Sequence, residues 1–205
     1  MRAWAFRTRG PATSVLHLES DFPTPATPTG SNVLIKVSHS SLTPSIAHLT
    51  SLIPSIPFLA RPYIPELDFS GVVELAGPDA PPSLVAHEAR VFGSVPLPDF
   101  ALRGKGSLAE YVLVPATAVA VLPDVAGFGF AEGAALDGNG HTAALMVQNA
   151  GIKKGSKVFV NGGSGGVGTL AVQIAKAEGA YVVATGSGEN VELVKSLGAD
   201  EVRLL

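Results

Sequence analysis

The chain has 205 residues, 46% of them apolar and only 15% charged, with a formal net charge of −3. This length buries a core as one large domain or two small ones, and a disordered chain would be poorer in apolar residues and richer in charge. Mild acidity argues against nucleic-acid binding, no apolar run approaches the roughly 18 residues of a membrane span, and the lack of cysteine excludes disulfides and thiolate metal sites.

Met1 to Arg7 alternates in character and reads as a first strand. Arg2, Arg7 and Arg9, with no early acid, leave a transit peptide as the alternative. No apolar segment follows as in a secretory signal, so the cytoplasm is the expected compartment. All 16 prolines lie between Pro11 and Pro123, and 16 of the 23 glycines come after them. Proline suits edge strands and loops, whereas glycine followed by apolar helical runs suits α/β units. A boundary near Asp124 follows, giving parts 1–124 and 125–205.

The first part carries short β runs between Pro- and Gly-rich turns: Val33–Val37, Phe69–Leu75, Arg90–Gly93, Ala109–Val114 and Val119–Leu122. This spacing predicts a small barrel-like β domain. Ser38 to Pro65 reads as a long irregular stretch. In the second part Phe130–Asn149 reads helical, with Gly138 and Gly140 interrupting it. Lys157–Asn161 is a buried strand. Val167, Leu170, Ala171, Ile174 and Ala175 then form one apolar helical face, closed by Gly179. Tyr181–Thr185 is a second strand, Asn190 is placed to cap a helix through Leu197, and Glu201–Leu205 begins a third strand. The order β-α-β-α-β is the mononucleotide half of a doubly wound sheet.

Gly163-Ser164-Gly165-Gly166-Val167-Gly168 matches G-x-G-x-x-G between that first strand and helix, the context that gives the pattern meaning. Gly163 is expected to make the tight turn, Gly165 to let backbone approach a pyrophosphate, and Gly168 to let helix and strand pack closely. The helix N-terminus offers free N–H groups to phosphate; a ligand-free glycine-rich turn is the alternative. The second strand ends Ala184-Thr185-Gly186-Ser187-Gly188 with no acid, which favours NADP over NAD. Ser187 and Asn190 could donate to the 2′-phosphate and Lys195 could reach it, while Glu189 is an unfavourable neighbour.

Four segments, Pro65–Val73, Gly104–Tyr111, Val160–Thr169 and Asn190–Val202, resemble the medium-chain dehydrogenase/reductase superfamily. The match is to its zinc-independent quinone oxidoreductase and enoyl reductase branch, in the style of fungal members, some of which are partners of polyketide synthases. The resemblance implies an α/β fold: a GroES-like β-barrel domain followed by a partial, three-stranded Rossmann domain. It also implies NADP(H) as cofactor, a small enone, enoyl or quinone substrate, and hydride transfer to an activated C=C bond or a quinone. Ser164 to Val167 match the pyrophosphate loop, Ser187 to Asn190 the adenosine-phosphate loop with Gly188 inside it, and Thr142 a threonine near the nicotinamide. Asp137 to His141 match the neighbouring substrate wall. Leu42–His48 departs from the family's Leu-Asn-Pro-x-Asp-x-Lys, with His48 in the lysine place. Relatives continue beyond the third strand, so the chain resembles a C-terminally truncated member. A homodimer, a partner protein or a longer parent chain would then cover the exposed strand edge, and a homodimer or other close association is expected.

His141 beside the nicotinamide is a candidate proton donor, or a locally bonded helix histidine. His48 is a second candidate acid, and Tyr63 a substrate contact or a packing residue. His17, His39 and His87 share no ligand spacing, so no metal is expected. Glu66 and Asp68 read as structural, Glu110 and Tyr111 as a contact joining the two parts, and Phe58, Phe92, Phe100, Phe128 and Phe130 as core or cleft walls. The rival to a reductase is a shortened, non-redox relative, acting as a polyketide-tailoring isomerase or cyclase or as a binding partner of a synthase.

Overall fold

The alternation at the N-terminus makes strand β1 (Ala3–Ala5), with both alanines buried and Trp4 exposed. A short helix α1 (Ala12–Val15) leads into β2 (His17–Glu19), which pairs antiparallel with β1. The computed structural model describes residues 1–52, 62–85 and 88–204. Phe58 and His87 therefore lie outside the described residues.

The five β runs anticipated from the sequence become β3 (Asn32–Ser40), β4 (Asp68–Ala76), β5 (Arg90–Ser94), β6 (Tyr111–Pro115) and β7 (Val119–Val121). They form one antiparallel sheet in the order β6-β3-β4-β5-β7, and an Ala3–Ala109 bridge joins the β1–β2 ribbon to it. Val33, Ile35, Phe69, Val91 and Val114 are fully buried in its core. Each such side chain is worth about 1.5–3 kcal/mol of burial. Helix α2 (Ser45–Leu52) lies within the stretch expected to be irregular. Helices α3 (Pro82–Val85) and α4 (Leu97–Arg103) fill two of the connections. Glu110 accepts bonds from the backbone N–H and the Nε of Arg2, at 2.7 and 2.8 Å.

Two compact units divide the chain, Met1–Asp137 and Gly138–Leu205. The division falls later than Asp124 because helix α5 (Phe130–Ala134) is tied to the first sheet. The Ser70 hydroxyl donates to the Phe130 carbonyl, and the Arg90 guanidinium lies 4.8 Å over the Phe130 ring. The helical run expected from Phe130 to Asn149 is thus two helices, α5 and α6 (Asp137–Asn149). The break falls at Ala135–Leu136, ahead of Gly138 and Gly140, where Asp137 starts the new helix with an acid in its first turn.

The second unit is the anticipated β-α-β-α-β. Strands β8 (Lys157–Val160), β9 (Tyr181–Gly186) and β10 (Glu201–Leu204) are parallel in the order β10-β9-β8, with helices α7 (Gly166–Ala177) and α8 (Val191–Ser196) as crossovers. The buried stripe of α7 is Gly168, Ala171, Val172 and Ala175. It is rotated one residue from the expected face, because the smallest side chains go against the sheet while Val167, Leu170 and Ile174 flank it half-buried. Gly179, at φ +81, closes the helix. Asn190 does not cap α8 with its side chain; its amide donates to Ser187 Oγ at 2.8 Å instead. No helix of the described residues is long and apolar enough to cross a membrane.

Asp200 ties three elements of this unit together. Its carboxylate accepts from Lys176 Nζ on α7 at 2.6 Å and from the Val182 N–H on β9 at 2.7 Å, just before β10 begins. The Lys176 bond first, then the backbone N–H, hold its carboxyl below the usual carboxylate range. A depressed pKa contributes stability that is complete above the unfolded value, about 3.9, and is lost as pH falls through the folded one. Urea unfolding followed across acid pH should therefore show the wild type weakening below about pH 4. Asp200→Asn should be less stable at neutral pH and flatter in that acid range.

Candidate functional site

The candidate site is built where β8 runs into α7. Gly162 takes φ +76, the left-handed backbone that favours glycine. The tight turn thus sits one residue before Gly163, where the pattern placed it. Gly163 is needed for packing: a Cβ there would stand 2.8 Å from Ala184 Cβ and 3.0 Å from Val194 Cγ1. At Gly168 a Cβ would fall on the Gly162 carbonyl oxygen, so only glycine lets the first turn of α7 come down on the loop. Gly165 and Gly166 face outward and are exposed. The first bond of α7 runs from the Thr169 N–H to the Gly165 carbonyl at 2.9 Å. The N–H groups of Gly166, Val167 and Gly168 precede it, at the positive end of the helix dipole.

A device that the motif does not reveal fixes this loop. The Thr185 hydroxyl accepts from the Gly162 N–H and donates to Asn161 Oδ1, both at 2.8 Å. The Thr185 carbonyl accepts from the Gly163 N–H at 2.7 Å. Thr185 is buried at the end of β9, so the glycine loop is clamped to the neighbouring strand. The available signal was a hydroxyl residue ending one strand beside an Asn-Gly ending the other.

Helix α6 borders the same loop. A Cβ at Gly166 would lie 2.9 Å from Asn139 Nδ2, which places the Asn139 amide over the loop. Thr142 and His141 are exposed on the same helix, and the Thr142 hydroxyl donates back to the Gly138 carbonyl at 2.7 Å. Beyond β9, Ser187, Gly188 and Glu189 are exposed, and nothing lies within 4 Å of a Cβ built on Gly188. Lys195 is engaged on its own helix, with Nζ 3.2 Å from Glu192 Oε1. Ser164 Oγ lies 3.9 Å from a Cβ built on Gly186, so the loop and the end of β9 adjoin.

His48 and Tyr63 belong to the first unit. His48 is exposed on α2. Tyr63 is buried between Phe6 and Phe100, with ring centroids at 5.6 and 6.0 Å, and its hydroxyl donates to the Ala101 carbonyl. Packing, the alternative to a substrate contact, describes that position. Glu66 and Asp68 do not act as a pair of exposed acids. Glu66 is buried at φ +64, and its carboxylate accepts from the Thr43 N–H at 3.2 Å and from the Thr43 hydroxyl at 2.9 Å. Burial pushes the Glu66 carboxyl pKa up, against the pull of the two Thr43 bonds. The residue thus anchors the Leu42–His48 motif. Among the described residues no three His, Asp or Glu side chains converge as metal ligands would.

A pyrophosphate fits this geometry, with open N–H groups on an outward glycine surface. A 2′-phosphate beyond β9 would meet hydroxyl, amide and backbone donors, and a lysine already paired.

No protein-family model matches the chain. A medium chain reductase of Acremonium is 35% identical over 219 residues, covering 98% of this chain and 60% of that protein. A trans-enoyl reductase of Aspergillus terreus is 34% identical, covering 98% of this chain and 58% of its own. Among solved structures, the quinone oxidoreductase of Coxiella burnetii superposes with a TM-score of 0.83 at 32% identity, over 99% of this chain and 62% of that one. The quinone oxidoreductase of Thermus thermophilus, solved also in complex with NADPH, gives 0.76 at 31% identity, over 100% of this chain and 60% of that one. The chain spans about three-fifths of the length of the curated relatives it matches.

The Thr185 clamp has a direct test. Thr185→Val removes the acceptor of the Gly162 N–H and the donor to Asn161, which should cost about 1–3 kcal/mol. Thermal unfolding should show that loss, and Thr185→Ser should recover most of it.

Proposed function

We propose that this chain, which belongs to the medium-chain dehydrogenase/reductase superfamily, binds NADPH on its glycine loop and serves the reduction of activated C=C bonds or quinones. The observation that carries this reading is the row of N–H groups at Gly166, Val167 and Gly168 ahead of the first helical bond, on a loop held in shape by Thr185. The NADPH complex of the Thermus quinone oxidoreductase supports the cofactor. The trans-enoyl reductase of Aspergillus terreus supports the enoyl side.

In this reading Gly163 to Gly168 receive the diphosphate, with Asn139 bordering it. Ser187, Gly188 and Asn190 donate to the ribose phosphate, and Lys195 joins them by leaving Glu192. That exchange is inexpensive, because an exposed i,i+3 ion pair is worth only tenths of a kcal/mol. Thr142 stands by the nicotinamide, which supplies the hydride when bound. His141, exposed on the same helix, holds the proton that an enolate or quinol oxygen takes up. In the first unit His48 is a second candidate acid, and Tyr63 serves packing. The second unit takes the cofactor, in the cytoplasm. A second copy of the chain, or a polyketide synthase partner, covers the edge of β8 that has no strand partner among the described residues, with light scattering of the purified chain as the check.

Titration of the chain with NADPH, followed by fluorescence, tests the reading. Saturable binding, tighter than for NADH, together with enone- or quinone-dependent oxidation is the expected result. No binding at millimolar NADPH would discard it and leave the non-redox tailoring or partner role, which the exposed Glu189 favours. His141→Ala should lower turnover by about a hundredfold and change NADPH affinity little. Unchanged turnover would remove His141 from the site.

A further inference from the structure

A cavity of about 470 Å³ opens within the first unit, a volume suited to a small organic molecule. Phe22, Pro23, Pro25, Pro62 and Tyr111 supply flat apolar walls. Arg7, Arg103 and Lys105 are its charged side chains, and among the described residues no acid lines it. This is a basic hollow in a chain of net charge −3.

The charges around it do not balance. Arg7 is paired with Glu19 at 2.9 Å. Arg103 and Lys105 share a single carboxylate, Asp99, with Lys105 the longer contact at 3.2 Å. Three side-chain cations thus face two carboxylates, and the excess lies at the Arg103–Lys105 end. Lys105 sits between two glycines on a tight turn. Gly104, at φ +69, turns the chain out of α4, and Gly106 is pressed against the carbonyls of Ile64 and Pro65 so closely that no side chain fits. Among the described residues the Tyr111 hydroxyl has no hydrogen-bond partner.

Proline and aromatic rings take a flat aromatic body. A partly buried ammonium left short of a counter-charge takes an anionic head more strongly than an exposed one does. We propose that this cavity binds an aromatic carboxylate, its ring between Phe22, the prolines and Tyr111, and its carboxylate on Lys105 and Arg103. The site belongs to the first unit alone and does not depend on the glycine loop.

Calorimetry on the full chain with 2-naphthoate and its neutral isostere 2-naphthamide tests this, with NMR shift mapping to locate the ligand. One site is expected, with naphthoate at least about tenfold tighter than the amide and weakened by salt. Lys105→Gln should weaken naphthoate about tenfold at an unchanged circular dichroism spectrum. Equal affinity for the amide, unchanged binding by a folded Lys105→Gln, or shifts confined to residues outside 22–25, 103–106 and 111–113 would overturn the proposal.

Discussion

The close approach of α7 to the loop before it governs the second unit. Gly168 lies against the Gly162 carbonyl with no room for a side chain, and the Thr185 hydroxyl pins Gly162 from the other side. With both contacts made, the helix starts at one defined place and its unpaired N–H groups point at one defined volume. Without them the same six residues would be a flexible turn. The chemistry proposed for this chain rests on backbone donors, and backbone donors are only as well aimed as the loop that carries them.

The first unit shows the same economy with different parts. Glu66 holds a left-handed backbone, which costs a non-glycine residue roughly 1–2 kcal/mol, with each oxygen of its buried carboxylate bonded to Thr43. Asp99 collects Arg103 and Lys105 around the end of α4. Buried acids here set loops in place. Among the described residues every buried side-chain polar atom has a partner.

Much of this was legible in the residues. The shift from proline to glycine announced two architectures, and the short runs between Pro- and Gly-rich turns fell on β3 to β7. The glycine pattern between strand and helix fixed β8 and α7, and the order of the second unit followed. What was not legible was decided by tertiary contacts. The boundary moved past Asp124 because Ser70 and Arg90 hold the Phe130 segment. The buried stripe of α7 shifted because small residues pack closer than large ones. Asn190 gave its amide to Ser187 instead of the helix end. At the candidate site the loop itself was readable, but its clamp was not, since Thr185 and Asn161 are distant in sequence and carry no motif. Lys195 was legible as a cation, but its engagement by Glu192 was visible only in three dimensions.

The two strand orders also differ in how the chain must assemble. In the second unit each strand meets its partner across a single helix: Lys157 pairs with Tyr181, and Val183 with Glu201. In the first, β3 lies between β4 and β6, so Asn32 waits for Pro115 to be made. Closing a long loop is slow, because its entropy is spent before any contact repays it. A ribosome therefore releases a first unit whose β3 has one edge unfilled until β6 emerges, whereas each pairing in the second unit waits only for the next strand in the chain.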